Sequence, residues 1–224
     1  MNLAVFDLDH TLLPIDSDYE WGQFLARIGA VDPVAFAQRN HEFFMQYQAG
    51  TQNPVEYLEF ALGTLASFPR AQLDQWHEQY MREVITPSML PVAHDLLQKH
   101  RDAGDLVVIA TATNRFVTEP IAKAFGVEHL VAAEPELSPE GAITGKLKGI
   151  PTSGEGKLTQ TRNWLAARGQ TLADFPRSYF YSDSQNDIPL LSAVTHPVAT
   201  NPNAKLTAHA EAHGWPILKL FDDQ

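Results

Sequence analysis

Short apolar runs alternate with stretches of helical period along most of this chain. Leu3 to Phe6 is apolar throughout and reads as a buried strand. Similar runs follow at Leu106 to Ala110 (LVVIA, after Gly104), Leu130 to Ala133, Tyr179 to Ser182 and Pro197 to Ala199. Runs this short, without polar alternation, suit parallel strands covered on both faces. The intervening pattern predicts helices over about 89–103, 114–125, 157–168 and 203–212. Strand and helix in alternation predict an α/β fold with a Rossmann-like parallel sheet.

Residues 14–86 break this alternation. They hold no convincing strand, and aromatic and aliphatic residues recur there at helical spacing: Phe36, Phe43, Phe44 and Tyr47, then Tyr57, Leu58, Ala61, Leu62 and Leu65. Pro54 and Pro69 stand where helix starts are expected. The segment reads as an all-helical insert of about four helices, with its aromatics in the core. The division expected is a core of 1–13 and 87–224 with a helical cap of 14–86. Within Glu134 to Lys148, the Pro-Glu-Gly of LSPEGAITG reads as a hairpin turn.

Composition narrows the function. The chain has 224 residues, enough for one large domain or a core with an inserted module. Its net charge of −11 repels nucleic acid and anionic lipid, so neither is an expected partner, and any anion site must be built locally. There is no cysteine, which excludes disulfides, thiolate metal sites and cysteine nucleophiles. No run suggests a membrane span or a signal peptide, so a cytoplasmic location is expected. Nothing in the sequence indicates an oligomeric state.

Polar clusters close three of the strands. Asp7-Leu8-Asp9-His10-Thr11 follows the first, Thr111-Ala112-Thr113-Asn114 follows LVVIA, and Asp183-Ser184-Gln185-Asn186-Asp187 follows SYFYS. Open α/β sheets bind ligands beyond the carboxyl ends of their strands. One acid there could be a helix cap; three clusters at equivalent ends indicate a site. The chemistry that fits is phosphoryl transfer to a carboxylate. Asp7 is the candidate nucleophile and Asp9 the candidate acid/base. Mg²⁺ would offset the repulsion between carboxylate and phosphate. Its candidate ligands are Asp7 and Asp183, with Asp187 in support and Asp9 through its backbone carbonyl. Thr111 and neighbouring backbone N–H groups, Ala112 included, are candidate phosphate binders. Lys157, in SGEGKLTQ, stands beside a predicted helix start, although taken alone it reads first as a solvated surface lysine.

In order and spacing, Asp7-x-Asp9-x-Thr11, Thr111, Lys157, and Asp183 with Asp187 in YSDSQND resemble the four motifs of the haloacid dehalogenase superfamily. DxDxT with SDSxND, and a helical insert directly after the first motif, are similar to its phosphoserine phosphatase-like branch (subfamily IB, with a C1-type cap). The resemblance implies phosphate binding by Lys157, a place for Asn186 facing phosphate or substrate, and support of metal and lysine by Asp187. Two positions depart from the branch: TAT stands where SGG is usual, and Ser182 where Gly is usual.

The cap should choose the substrate. The branch's phosphoserine enzymes use a cap Glu for the substrate amine, and Asp16 falls at about that position. They also use a cap Arg for the substrate carboxylate, yet nothing basic lies between Arg39 and Arg70. A buried carboxylate without such a partner is costly. The expectation is therefore a small phosphorylated metabolite with an amine and no carboxylate, L-histidinol phosphate above all, its ammonium received by Asp16 or Asp18. Trp21 and Phe24 could flank an imidazole or could be cap core. The alternatives are a phosphoserine phosphatase, another small amine or alcohol phosphatase or phosphotransferase, and a non-catalytic ligand-binding protein on the same fold. A P-loop is excluded, because Pro151 and Leu158 stand where Gly and Ser/Thr are required. His209 and His213 lie one helical turn apart without a third ligand, which predicts a solvated face rather than a zinc site. His10 is expected to face away from the metal, towards the base of the cap.

Overall fold

The structure, a computed structural model, describes residues 1–221. β1 (Leu3–Phe6) is buried over its whole length, as an unbroken apolar run requires. It pairs in parallel with β2 (Leu106–Asn114) on one side and β5 (Ser178–Ser182) on the other. β3 (His129–Leu137) continues the sheet beyond β2, and β4 (Ile143–Lys148) closes that edge antiparallel to β3. β6 (His196–Thr200) and β7 (Ile217–Leu218) extend the other edge, giving the order β4-β3-β2-β1-β5-β6-β7. The chain runs outward from β1 to β2 and β3, then crosses back to β5. The carboxyl end of β1 thus lies at the point where strand order reverses, where such sheets bind ligands.

Alternation along β1 divides the core. Leu3 and Val5 pack with Val108, Leu165 and Phe180, whereas Ala4 and Phe6 pack with Leu97, Ile109 and Ile121. The Phe6 layer continues without a break through Leu12 and Leu13 into Trp21, Phe24, Leu62, Leu65 and Tyr80 of the helical insert.

The insert comprises α1 (Ser17–Arg27), α2 (Pro33–Ala49), α3 (Pro54–Ala66) and α4 (Arg70–Tyr80). Asp16, Asp32 and Asn53 cap the first three, each side chain accepting two backbone N–H groups, and Pro33 and Pro54 open α2 and α3. Pro69 is the N-cap residue of α4. The chain leaves through a π turn (Met81–Ile85) and the short α5 (Thr86–Ser88). On the sheet, α6 (Pro91–Asp102), α7 (Arg115–Ala124), α8 (Glu155–Ala167), α9 (Ile188–Ala193) and α10 (Ala204–His213) complete the layers.

The pattern placed these elements but not all their ends. β2 does not stop at Ala110. The β-branched Thr111 and Thr113 keep the chain extended to Asn114, with a register shift after Ala110. β3 runs on to Leu137 because the hairpin turn at Ser138–Gly141, closed by Gly141 N–H to Ser138 O at 2.9 Å, pairs it with β4. That hairpin lies against α3: a Cβ on Gly145, whose φ is +85°, would sit 3.4 Å from Gly63 Cα. The short β7 had no signal of its own in the sequence.

The turn into α8 is the tightest backbone approach. A Cβ on Gly156 would collide with the carbonyl oxygen of Pro151, a main-chain atom without freedom to swing aside. Gly156→Ala is expected to lower stability by about 3 kcal/mol, with a fall in Tm of roughly 6–12 °C in thermal denaturation.

Candidate active site

The first polar cluster turns back on itself directly after β1. Leu12 and Leu13 N–H both return to Leu8 O, and His10 adopts a left-handed conformation at φ +55° between the two candidate motif residues Asp9 and Thr11. His10 O accepts from Asn201 Nδ2 at 2.9 Å, tying this turn to the end of β6. The turn leaves Asp7 and Thr11 buried on the core side and Asp9 at the base of the insert.

Asp7, Lys157 and Asp187 form one buried ion cluster. Lys157 Nζ lies 3.0 Å from Asp7 Oδ1 and 2.6 Å from Asp187 Oδ2. Its side chain is only 3% exposed, so this lysine is far from a solvated one. Burial disfavours the ammonium, but the Asp187 and Asp7 charges outweigh that and raise its pKa above the ordinary value. Asp183 joins the cluster through Thr11. Thr11 Oγ1 donates to Asp183 Oδ1 at 3.3 Å and accepts Asp183 N–H at 3.1 Å. Burial first, then the Asp7 and Asp187 charges, push the Asp183 carboxyl well above the carboxylate range. Ser182, the residue in place of the usual glycine, donates its hydroxyl to Asp187 at 2.7 Å.

Asp7, Asp183 and Asp187 bring three acidic side chains against one lysine. That deficit, with hard oxygen donors, fits a divalent cation. Among the described residues, no three acid, histidine or cysteine side chains are gathered for a metal. Asp7 and Asp183 remain as candidate carboxylate donors, and Mg²⁺ commonly completes so small a set with water. Asp187, engaged by Lys157 and Ser182, stands behind that set.

Asp9 points elsewhere. Its Oδ1 accepts Ser17 N–H at 2.7 Å and its Oδ2 accepts the Thr113 hydroxyl at 2.9 Å. Burial, and next the Asp16 charge, raise its pKa to about 6, against the pull of the bonds from Ser17. Thr111, Ala112 and Ser153 line the same cleft, and Thr111 Oγ1 accepts Thr113 N–H at 3.1 Å. Asn186 lies in a short turn, Gln185–Asp187, its N–H on Ser184 Oγ. Among the described residues it is not in the cleft wall.

The cleft rises from these groups into the helical insert. Asp16 lines it, but one oxygen of its carboxylate caps α1 through Asp18 and Tyr19 N–H. Asp18 is buried, with Tyr57 OH donating to Oδ2 at 2.6 Å and Asn114 Nδ2 to Oδ1 at 3.4 Å. Burial, opposed by the Tyr57 bond, brings it to about 7. Tyr19, Phe44, Tyr47 and Tyr57 supply aromatic walls, with Asn40 and Gln52 as polar neighbours. This corrects the reading of the insert's aromatics as core alone. Phe43 is core, 1% exposed, but Phe44, Tyr47 and Tyr57 face the cleft. Burial and the Asp183 and Asp7 charges raise the Tyr47 phenol well above its ordinary pKa, a sign of how closely α2 approaches the catalytic end. Trp21 and Phe24 pack instead against Tyr80, within the layer shared with the sheet.

No lysine or arginine lines the cleft among the described residues. Arg39 is spent on Glu42 and Glu56 at the surface, and Arg70 on Asp74. His209 and His213 stack in the open, with ring centroids 4.0 Å apart.

Sequence reasoning placed Thr113 and Asn114 in the second polar cluster without giving either a role, and it missed Ser17 and the cleft-facing aromatics, Tyr57 among them. For Thr113 a signal existed: in extended chain, residues 111 and 113 share a face. For Tyr57 there was none, because which face of α3 meets α1 is decided by packing.

A buried carboxylate paired with a buried lysine, a second acid held two residues on and a locally crowded acidic cluster gather at the switch point of an α/β scaffold. The family model for haloacid dehalogenase-like hydrolases matches residues 4–192, and the chain belongs to that family. It is an enzyme of the phosphatase kind within that superfamily. The chain is 41% identical over 219 residues to the histidinol-phosphatase of Neisseria meningitidis serogroup C (strain 8013), covering 98% of this chain and 99% of that protein. A crystal structure of a protein of unknown function from Bordetella pertussis Tohama I matches at 50% identity and a TM-score of 0.93, over 98% of each chain. A substrate-bound phosphoserine phosphatase shares the fold, with a TM-score of 0.69 at 15% identity, over 97% of this chain and 92% of that one. No helix among the described residues is long and apolar enough to cross a membrane.

Asp18 provides a thermodynamic check on this geometry. Its pKa rises from 3.8 to about 7 on folding, so the native state binds the proton more tightly. Stability is therefore lost as pH climbs between those values. Asp18→Asn removes the ionisation and should raise Tm by several degrees at pH 8, with the difference closing at pH 4 and below. Parallel melting curves at both pH values read this directly.

Proposed function

We propose that this enzyme is a Mg²⁺-dependent phosphomonoester hydrolase that works through an aspartyl-phosphate on Asp7, with L-histidinol phosphate as substrate. On this reading residues 14–86 are the cap over a core of 1–13 and 87–224. The observation that carries the substrate is the cleft wall: buried Asp18 and partly committed Asp16, aromatic faces, and no basic side chain among the described lining residues. Such a wall welcomes an ammonium and a flat ring and gives a carboxylate nothing to pair with. The name of the Neisseria relative supports the same choice.

Asp7 attacks phosphorus in line as the bond to the substrate oxygen breaks. Asp9 gives its proton to that oxygen, and the alcohol departs. Asp9 then takes a proton from water, whose oxygen attacks phosphorus and frees Asp7 and inorganic phosphate. Lys157 and Thr111 hold the phosphoryl oxygens. Asp7, Asp183 and the main-chain carbonyl of Asp9 would hold Mg²⁺, which offsets the repulsion between phosphate and carboxylate. Asp18 receives the ammonium, with Tyr57 and Asn114 fixing its plane.

Phosphate release should be measured for L-histidinol phosphate, phosphoserine and phosphoethanolamine. Release should require Mg²⁺, vanish in Asp7→Asn, and favour L-histidinol phosphate over phosphoserine. Asp18→Asn should raise KM for L-histidinol phosphate by about 30-fold while sparing p-nitrophenyl phosphate, as expected for loss of a charge-assisted contact. Preference for phosphoserine would overturn the substrate assignment.

A further inference from the structure

Asp9 is held from two sides. Ser17 N–H, at the start of the insert's first helix, binds Oδ1 at 2.7 Å. The Thr113 hydroxyl, from the far end of β2, binds Oδ2 at 2.9 Å. Thr113 is 5% exposed and lines the cleft beside Thr111. Its own N–H is taken by Thr111 Oγ1 at 3.1 Å, which fixes the local backbone that aims the hydroxyl.

From this geometry we infer that Thr113 is the positioning residue for proton delivery to the leaving oxygen. A carboxyl held at one oxygen only can still turn about its Cβ–Cγ bond. Donors at both oxygens fix its plane over the cleft. Both bonds also strengthen as the carboxyl gives up its proton and gains charge. They contribute more in the transition state than before it, which is the condition for accelerating the chemical step. In that step a bond forms between an Asp7 oxygen and phosphorus, the bond from phosphorus to the substrate oxygen breaks, and the Asp9 proton moves to the departing oxygen. The contribution of Thr113 therefore scales with how much the leaving oxygen needs that proton. The residue stands at the last position of TAT, where SGG would place a glycine without a hydroxyl. This assignment rests on the aspartyl-phosphate reading above but not on the choice of substrate.

The test is the leaving-group dependence of kcat/KM across a series of esters: p-nitrophenyl phosphate, phenyl phosphate, β-glycerophosphate and L-histidinol phosphate. Nitrophenolate departs without protonation; the alkyl esters need it. Thr113→Val is expected to keep kcat/KM for p-nitrophenyl phosphate within about threefold, which also reports that the variant folds. It should lose about tenfold or more on the alkyl esters, a typical share for positioned acid catalysis. Thr113→Ser restores the hydroxyl and should restore the wild-type slope. An equal loss on every ester in Thr113→Val, or an unchanged slope, would overturn the assignment of Thr113 alone. A Thr113→Ser slope like that of Thr113→Val would also overturn it. A wild type that hydrolyses none of the esters would overturn it together with the phosphatase reading.

Discussion

The ammonium of Lys157 between Asp7 and Asp187 is the interaction on which the site depends. Both contacts are short and all three side chains are at least 94% buried. Taking such charges out of water costs several kcal/mol each, and only close pairing offsets it. Removing one partner would strand the others. The tight turn at Gly156 places the lysine, the end of β1 places Asp7, and the turn after β5 places Asp187. Three segments far apart in sequence therefore meet at one charge, and the parallel order of β1 beside β5 brings two of them to the same end of the sheet.

The pairing is deliberately incomplete. Asp183 adds a further buried acid to the cluster, and Asp18 sits buried in the upper cleft with only neutral donors on it. Fold stability alone would not favour either. Each is a place where a cation arriving from outside would lower the energy; on the function proposed above these are a metal at one end of the cleft and a substrate ammonium at the other. The cost is offset by the continuous apolar layer from Phe6 through Leu12 and Leu13 to Tyr80, which joins the base of the insert to the sheet.

Much of this was legible from residues. The apolar runs located the strands, Pro54 and Pro69 marked helix starts in the insert, and the polar clusters after β1, β2 and β5 marked the site. What escaped was decided by packing. Periodicity says that Phe43, Phe44, Tyr47 and Tyr57 are amphipathic-helix residues, but not which of them the neighbouring helix covers. Phe43 was covered; the other three line the cleft. Trp21 and Phe24 lie on the face of α1 that the shared core claims. Lys157 was ambiguous for the opposite reason. A lysine near a helix start looks solvated in any sequence, and only the Gly156 approach to Pro151 and the facing carboxylates bury it.

The two departures from the branch's motifs have a common physical sense. Thr113 and Ser182 each place a hydroxyl on a carboxylate of the site, as Thr11 does on Asp183. A hydroxyl orients an acid and partly satisfies it without neutralising it. An arginine or lysine in the same places would orient equally well but would cancel the charge deficit. Neutral donors thus fix Asp9 and Asp183, and share Asp187 with Lys157, while leaving the negative potential of the cleft for ligands. On the function proposed above, phosphate enters a chain of net charge −11 against the general field, and a bound cation would offset that potential. The hydroxyls keep the carboxylates ready for it.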